Sequence, residues 1–138
     1  MLDQSDDRPD AAYVRRVDRA AFAALAPDER LSQKLLDHDT GARHCSVAYI
    51  QTPPGGGSPA GLHTHEVDQI FYILEGTMSI EVEGAEFTAE PGSLVHFPAG
   101  VEHRNWNSGR EPTVHLAVNA PLPDPAKPFA RKVDAEPG

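Results

Sequence analysis

Short runs of alternating hydrophobic and polar residues fill most of the chain after residue 31. Runs such as SVAYIQT, DQIFYIL, SIEVE and TVHLAVNA are five to eight residues long, and turns that contain glycine or proline separate them. Strands of this length at this spacing are typical of antiparallel sandwiches and barrels. The pattern therefore predicts an all-β domain. Its first two runs, residues 31–38 and 43–52, form a hairpin around Asp39-Thr40-Gly41.

The two ends of the chain depart from this pattern. Residues 1–11 are charged and poor in apolar side chains, so we expect a mobile tail. Residues 18–36 have some helical character, but Pro27 limits them to one or two short turns. The strand pattern predicts a barrel domain that comprises residues 12–120. The proline-rich residues 121–138 predict an extended arm on the surface or on a neighbouring subunit.

Composition and charge narrow the class of partner. A length of 138 residues suits one domain, and 21 acidic against 12 basic side chains give a net charge of -9. Phosphate-rich nucleic acid and anionic membrane surfaces would repel such a chain, so we expect a small-molecule ligand. The acidic N-terminal sequence reads as neither signal peptide nor membrane anchor, and Cys45 has no partner for a disulfide. These features favour a cytoplasmic protein.

The candidate chemistry lies in three histidines and one amide. His63 and His65 project to the same face of a strand, and Gln69 shares their parity if the intervening turn keeps the register. His103 lies in a second strand. Imidazoles that converge from two strands inside a barrel are suitable ligands for Zn, Ni, Fe, Mn or Cu. The spacing therefore predicts a divalent metal site.

Two segments resemble the motifs of the cupin superfamily. The first runs from Gly57 through His63-Thr64-His65 and Gln69 to Gly76, and has Gln69 where the family usually has glutamate. The second runs from Gly92 through Pro98-Ala99-Gly100 and His103 to Asn107 and matches at every marked position. The resemblance implies a double-stranded β-helix, or jelly roll, that is commonly a dimer. It also implies one divalent metal, held by His63, His65, His103 and the residue at position 69.

The amide at position 69 allows three interpretations. Gln69 could coordinate the metal through Oε1, or it could contact the ligands without touching the metal. In the third interpretation Glu66 or Asp68 supplies the fourth ligand instead, although both have the wrong strand parity. We prefer the first. A neutral ligand set leaves the full +2 charge on the metal, which strengthens a Lewis acid and gives less support to higher oxidation states. Cupins with this ligand set resemble polyketide cyclases and unsaturated-uronate converting enzymes.

Parity also identifies residues that could line the barrel. Phe71 and Ile73 share the face of Gln69, and Tyr49 and Asn105 are further candidates for substrate contact. His96 and His115 are the available catalytic proton carriers.

These observations favour a metal-dependent enzyme that acts as a Lewis acid on a small, oxygen-rich, enolisable substrate, in an isomerase, cyclase or lyase step. The alternatives are a cupin dioxygenase with Fe or another redox metal, and a non-catalytic domain that binds a sugar or metabolite.

Overall fold

The structure is a computed structural model that describes residues 13–59 and 61–133. The predicted tail, residues 1–11, and the last five residues of the predicted arm lie outside the described residues. The described part contains one α-helix, a 3-10 turn at His38–Thr40 and ten strands: α1 (Arg19–Ala23), β1 (Leu31–Leu36), β2 (Ser46–Thr52), β3 (His63–Thr64), β4 (Asp68–Glu75), β5 (Met78–Val82), β6 (Ala85–Ala89), β7 (Leu94–Phe97), β8 (His103–Trp106), β9 (Thr113–Ala120) and β10 (Arg131–Lys132).

The strands form two five-stranded antiparallel sheets. Their orders are β1-β2-β9-β4-β7 and β10-β3-β8-β5-β6, so neighbours in space are mostly distant in sequence. Both sheets contribute side chains to one apolar core, which includes Phe71 and Ile73 from β4, Met78 and Ile80 from β5, and Phe97 from β7. This architecture confirms the predicted all-β jelly roll, and it leaves a polar region between the sheets at one end.

The hydrophobic pattern sets which face of each strand is buried. In β4, Gln69, Phe71 and Ile73 are buried, whereas Tyr72 and Leu74 between and after them are 43% and 37% exposed. A strand presents alternate residues to opposite faces, so the register that buries Phe71 also turns the Gln69 amide inward.

The predicted hairpin at the start of the domain is confirmed. Strands β1 and β2 pair antiparallel, and the 3-10 turn between them begins at Asp37, whose side chain accepts a hydrogen bond from Asp39 N–H. Gly41 then closes the turn with φ of 100°, a conformation that costs glycine little. This hairpin places β1 at the edge of its sheet.

Gly57, the first residue of the first motif, is required by a close backbone approach. A Cβ atom on Gly57 would lie 2.5 Å from the carbonyl oxygen of Asn105 and 2.9 Å from Cβ of Trp106. The loop before β3 therefore lies directly on β8, where Gly57 also bridges to Trp106. This contact brings the loop that leads into His63 next to the strand that carries His103.

The C-terminal arm folds back onto its own barrel. Strand β10 pairs antiparallel with β3, so that Arg131 lies opposite Thr64 and Lys132 opposite His63. Val133 N–H extends the pairing with a 3.0 Å hydrogen bond to the Leu62 carbonyl. The sequence allowed the arm to lie on the protein's own surface or on a neighbouring subunit, and in the structure its described part lies on the protein's own surface.

Helix α1 is short, as the sequence predicts. Asp18 caps it by accepting a 3.1 Å hydrogen bond from Ala21 N–H, and Phe22 anchors it to the outside of the sheet. No helix among residues 13–59 and 61–133 has the length and apolar character that a membrane span needs.

Candidate metal centre

The three predicted histidines and Gln69 converge between the two sheets. His63 on β3 lies directly opposite His103 on β8, and His65 follows β3 by one residue. The Nε2 atoms of His63 and His65 are 3.0 Å apart, and His103 Nε2 is 3.2 Å from Oε1 of Gln69, which comes from the other sheet. One nitrogen from each histidine lies within 4.8 Å of the others, as ligands of one ion must.

A backbone carbonyl fixes the orientation of each imidazole. His103 Nδ1–H donates to the Val101 carbonyl at 3.0 Å, and His65 Nδ1–H donates to the Phe129 carbonyl at 3.0 Å. His63 Nδ1–H donates to the carbonyl of Gly61. A histidine that ligates a metal generally donates its second ring N–H in this way, which leaves the Nε2 lone pair free. All three lone pairs therefore face the same space.

The close approach of the three imidazoles is explained better by a divalent cation between them than by contacts among the histidines themselves. With Nδ1 protonated, His63 and His65 present two acceptor nitrogens to each other at 3.0 Å, and only a shared cation or proton makes that contact favourable. All three rings are buried, at 1–5% exposure. Burial lowers the pKa of His65, and it lowers the pKa of His103 to about 4, so the rings of His65 and His103 stay neutral, as metal ligands must.

Gln69 is held by an amide chain that the sequence analysis did not foresee. Its Nε2–H donates to Oδ1 of Asn119 at 3.1 Å, and Nδ2–H of Asn119 donates to Oγ of Ser46 at 3.1 Å. Because the amide nitrogen is engaged on this side, Oε1 points toward the histidines. In this orientation Asn119 provides the acceptor that the Gln69 amide nitrogen needs.

The two acidic neighbours of Gln69 have other contacts. Glu66 is exposed and lies 3.8 Å from Nζ of Lys127. Asp68 accepts a 2.9 Å hydrogen bond from Ala99 N–H, which lowers the pKa of its carboxyl, and its other oxygen lies 3.2 Å from His96. Neither carboxylate joins the histidine cluster, so the geometry gives no support to the third interpretation of position 69.

A cavity of about 570 Å³ opens from this cluster. Its apolar wall includes Ile50, Phe71 and Ala117, and its polar wall includes Asn105 and His115. Phe71 and Asn105 therefore lie where parity predicted them. This volume falls in the range of small-molecule sites.

Ile73 differs from that prediction. It points inward but is 0% exposed and belongs to the apolar core, where it does not reach the cavity. The strand parity is right, but the core closes over the end of β4 before the cavity begins.

His115 is the predicted proton carrier that does line the cavity. Its ring is 1% exposed and lies 4.3 Å from the ring of Phe71, centroid to centroid, and its Nδ1 has no hydrogen-bond partner among the described residues. Burial, and then the positive charge of Arg30, lower the pKa of His115 to about 3. The imidazole is therefore neutral at physiological pH.

His96 and Tyr49 do not face the cavity, contrary to the expectations for them. His96 pairs with Ile70 on the outward face, is about half exposed and contacts Asp68. Tyr49 lies between two inward residues of β2, so its ring turns outward and packs edge-on against Phe22, with centroids 4.9 Å apart. Both expectations were wrong for the same reason. Alternation divides the residues of a strand between two faces, but a residue known to be buried is needed to decide which face points inward.

Comparison with known proteins agrees with this architecture. A family model described as "Cupin domain" matches residues 48–119, which contain every histidine of the cluster. The chain is 26% identical, over 86% of its length and 80% of the relative's, to the tetracenomycin polyketide synthase protein TcmJ of Streptomyces glaucescens.

Solved structures show the same fold. The polyketide cyclase RemF from Streptomyces resistomycificus is similar with a TM-score of 0.65 and 25% identity, over 78% of this chain and 73% of that one. An RmlC-like cupin family protein with a double-stranded β-helix fold from Methanocaldococcus jannaschii has a TM-score of 0.65 and 22% identity, over 80% and 91% of the chains. With the motif, the fold and the family model in agreement, the chain belongs to the cupin family.

Proposed function

We propose that the protein is a metal-dependent enzyme in which His63, His65, His103 and Gln69 bind one divalent metal that acts as a Lewis acid. The observation that carries the proposal is the convergence of three Nε2 atoms and one amide oxygen, with every Nδ1 held by a carbonyl. The four donors carry no negative charge. Zn, Ni, Fe and Mn are all compatible with such a set.

The proposed reaction is an isomerase, cyclase or lyase step on a small, oxygen-rich, enolisable substrate. A divalent metal supplies polarisation of a carbonyl oxygen and stabilises enolate charge when it is bound. Phe71 and Asn105 would orient the substrate, the first by its apolar face and the second by its amide. His115 stays neutral, so it would form a hydrogen bond to the substrate and stabilise developing enolate charge without itself becoming charged.

The relatives support the choice of reaction class. TcmJ is a polyketide synthase protein and RemF a polyketide cyclase, and chains of alternating carbonyls are enolisable. At 25–26% identity this similarity supports a reaction on a polycarbonyl or related compound, and it leaves the particular substrate to experiment.

The test is exchange of substrate protons with solvent in the absence of oxygen. Under argon in D2O, protein loaded with Zn²⁺ or Ni²⁺ is expected to accelerate deuterium incorporation into pyruvate, acetoacetate or dihydroxyacetone, as measured by NMR. Chelation should abolish the acceleration, and His115→Gln should reduce it at least about tenfold while keeping the metal. Equal rates with and without metal would refute the Lewis-acid role. Turnover that requires oxygen and consumes it stoichiometrically would establish the dioxygenase instead.

Gln69→Glu is expected to tighten metal binding about tenfold and to reduce the exchange rate, because a carboxylate neutralises part of the metal charge. The tightening requires Asn119 to turn its amide, since its Oδ1 would otherwise oppose the new carboxylate. Isothermal titration of chelator-treated protein with Ni²⁺ measures the affinity. Unchanged affinity and unchanged metal spectra would place Gln69 behind the ligands.

The homodimer also stays a proposal. Its support is the outer face of the β4–β7 pair, where Tyr72 and Leu94 lie opposite each other and are 43% and 66% exposed. Adjacent exposed apolar side chains on a sheet are a common feature of protein interfaces.

A further inference from the structure

One wall of the cavity is more basic than the rest of the protein would suggest. Arg30, Ser32, Lys34 and Leu36 occupy alternate positions at the start of and along β1, and all four line the cavity. A strand that only closed a barrel would place apolar side chains there. Asp37 and Asp124 also line the cavity, so the charge that needs an explanation is the one without a carboxylate partner.

The two cations differ in their partners. Nζ of Lys34 lies 4.0 Å from a carboxylate oxygen of Asp37. Arg30 has no ion pair and no hydrogen bond with any residue in 13–59 or 61–133. The acid beside it, Glu29, instead accepts a 2.8 Å hydrogen bond from Ala26 N–H. Arg30 therefore stands at the mouth of the cavity as a cation without an anion.

Arg30 acts electrostatically on the interior of the cavity. Its side chain is exposed at the mouth, but the surrounding wall partly desolvates the guanidinium and lowers its pKa. Its charge also contributes to the low pKa of His115. A partly desolvated, unpaired guanidinium is unfavourable until an anion arrives, and its planar donors match a carboxylate in particular.

We propose that Arg30 is an anion-binding residue of this cavity and that the substrate carries a carboxylate. The carboxylate would pair with the guanidinium at the mouth while a carbonyl oxygen of the same molecule lies at the histidine cluster. This inference rests on the proposed function for the placement of the substrate carbonyl at the histidine cluster. The pairing of the carboxylate with Arg30 does not depend on the metal. Among the described residues that line the cavity, Lys34 and Lys127 each have a carboxylate partner and Arg30 has none, so one carboxylate would balance its charge.

The test compares two ligands of the same shape, benzoate and benzamide, by isothermal titration of chelator-treated protein. Wild type is expected to bind benzoate more tightly, and Arg30→Gln to weaken benzoate binding about tenfold while changing benzamide binding less than about twofold. Arg30→Lys should retain part of the preference. Arg110→Gln, in an exposed loop outside the cavity, makes the same change in net charge and should bind both ligands as wild type does.

Two results would overturn the proposal: equal benzoate affinity in Arg30→Gln and Arg110→Gln, or tighter binding of inorganic phosphate than of benzoate. Thermal unfolding of each variant shows that it is folded. Elemental analysis of the untreated protein separates this proposal from the proposed function. Arg30-dependent benzoate binding, combined with no metal in the untreated protein and no binding of added Ni²⁺ or Zn²⁺, would support the carboxylate site and refute the metal-dependent reaction.

Discussion

Replacing His103 by alanine is expected to weaken Ni²⁺ or Zn²⁺ binding at least about 100-fold, because loss of a ligand exceeds the 10- to 100-fold effect of losing a residue that only supports one. His103 is the proposed ligand that connects the two sheets, since it lies opposite His63 and its Nε2 is 3.2 Å from the Gln69 oxygen. Titration of chelator-treated protein measures the affinity, and elemental analysis of untreated protein measures the metal content per chain.

The loss of a buried ring also affects folding, so the experiment needs two controls. His103 is 1% exposed and stacks on Phe97 at 4.0 Å between centroids, and alanine would leave a cavity there. His103→Gln keeps more of the volume and should still bind metal poorly. His96→Ala removes an exposed imidazole outside the cavity and should retain full metal content. Normal metal content in His103→Ala would refute the ligand set.

Removal of the C-terminal arm is expected to lower metal affinity about 10- to 100-fold, although the arm contains no proposed ligand. The Phe129 carbonyl accepts the Nδ1–H of His65, and the Phe129 ring stacks on His65 with centroids 4.1 Å apart. Strand β10 holds this segment in place by pairing with β3. A chain that ends at Pro121 loses all of these contacts, so His65 is free to rotate away from the cluster.

The matched control is a chain that ends at Val133, which keeps β10 and every contact just described. It should bind Ni²⁺ as the full chain does, and both truncated chains should be checked by circular dichroism and thermal unfolding. Equal Ni²⁺ affinity in the two truncated chains would show that the arm does not position His65.

The fold and the convergence of the three histidines could be predicted because their signals are local. Each strand is a short alternating run, and each of the two motifs combines its histidines with the glycine or proline residues that set their direction. Gly57 illustrates this, because its missing side chain permits the approach to β8 that brings His63 toward His103. Residue type and spacing within each motif were the signals.

The residues that the sequence analysis missed depend on distant contacts. Asn119 lies 50 positions after Gln69 and Phe129 lies 64 after His65, and no periodicity relates either pair. Arg30, directly before β1, and Lys34 within β1 have the same parity, which was a usable signal. This signal identifies a cavity wall only when the inward face of the neighbouring strand β2 is known. The inward face of β2 was not known from the sequence, and for that reason the orientation of Tyr49 was also predicted wrongly.

The hydrogen bond from His65 to Phe129 has a consequence for biosynthesis. Domains begin to fold while the chain is still being made, from the N-terminus onward. All four proposed ligands precede residue 104, but Phe129, whose carbonyl orients His65, is synthesised after all of them. A nascent chain therefore contains the proposed metal ligands before the contact that gives its full metal affinity can form. Tight binding of the metal ion is expected only once the arm has emerged from the ribosome and can pair with β3.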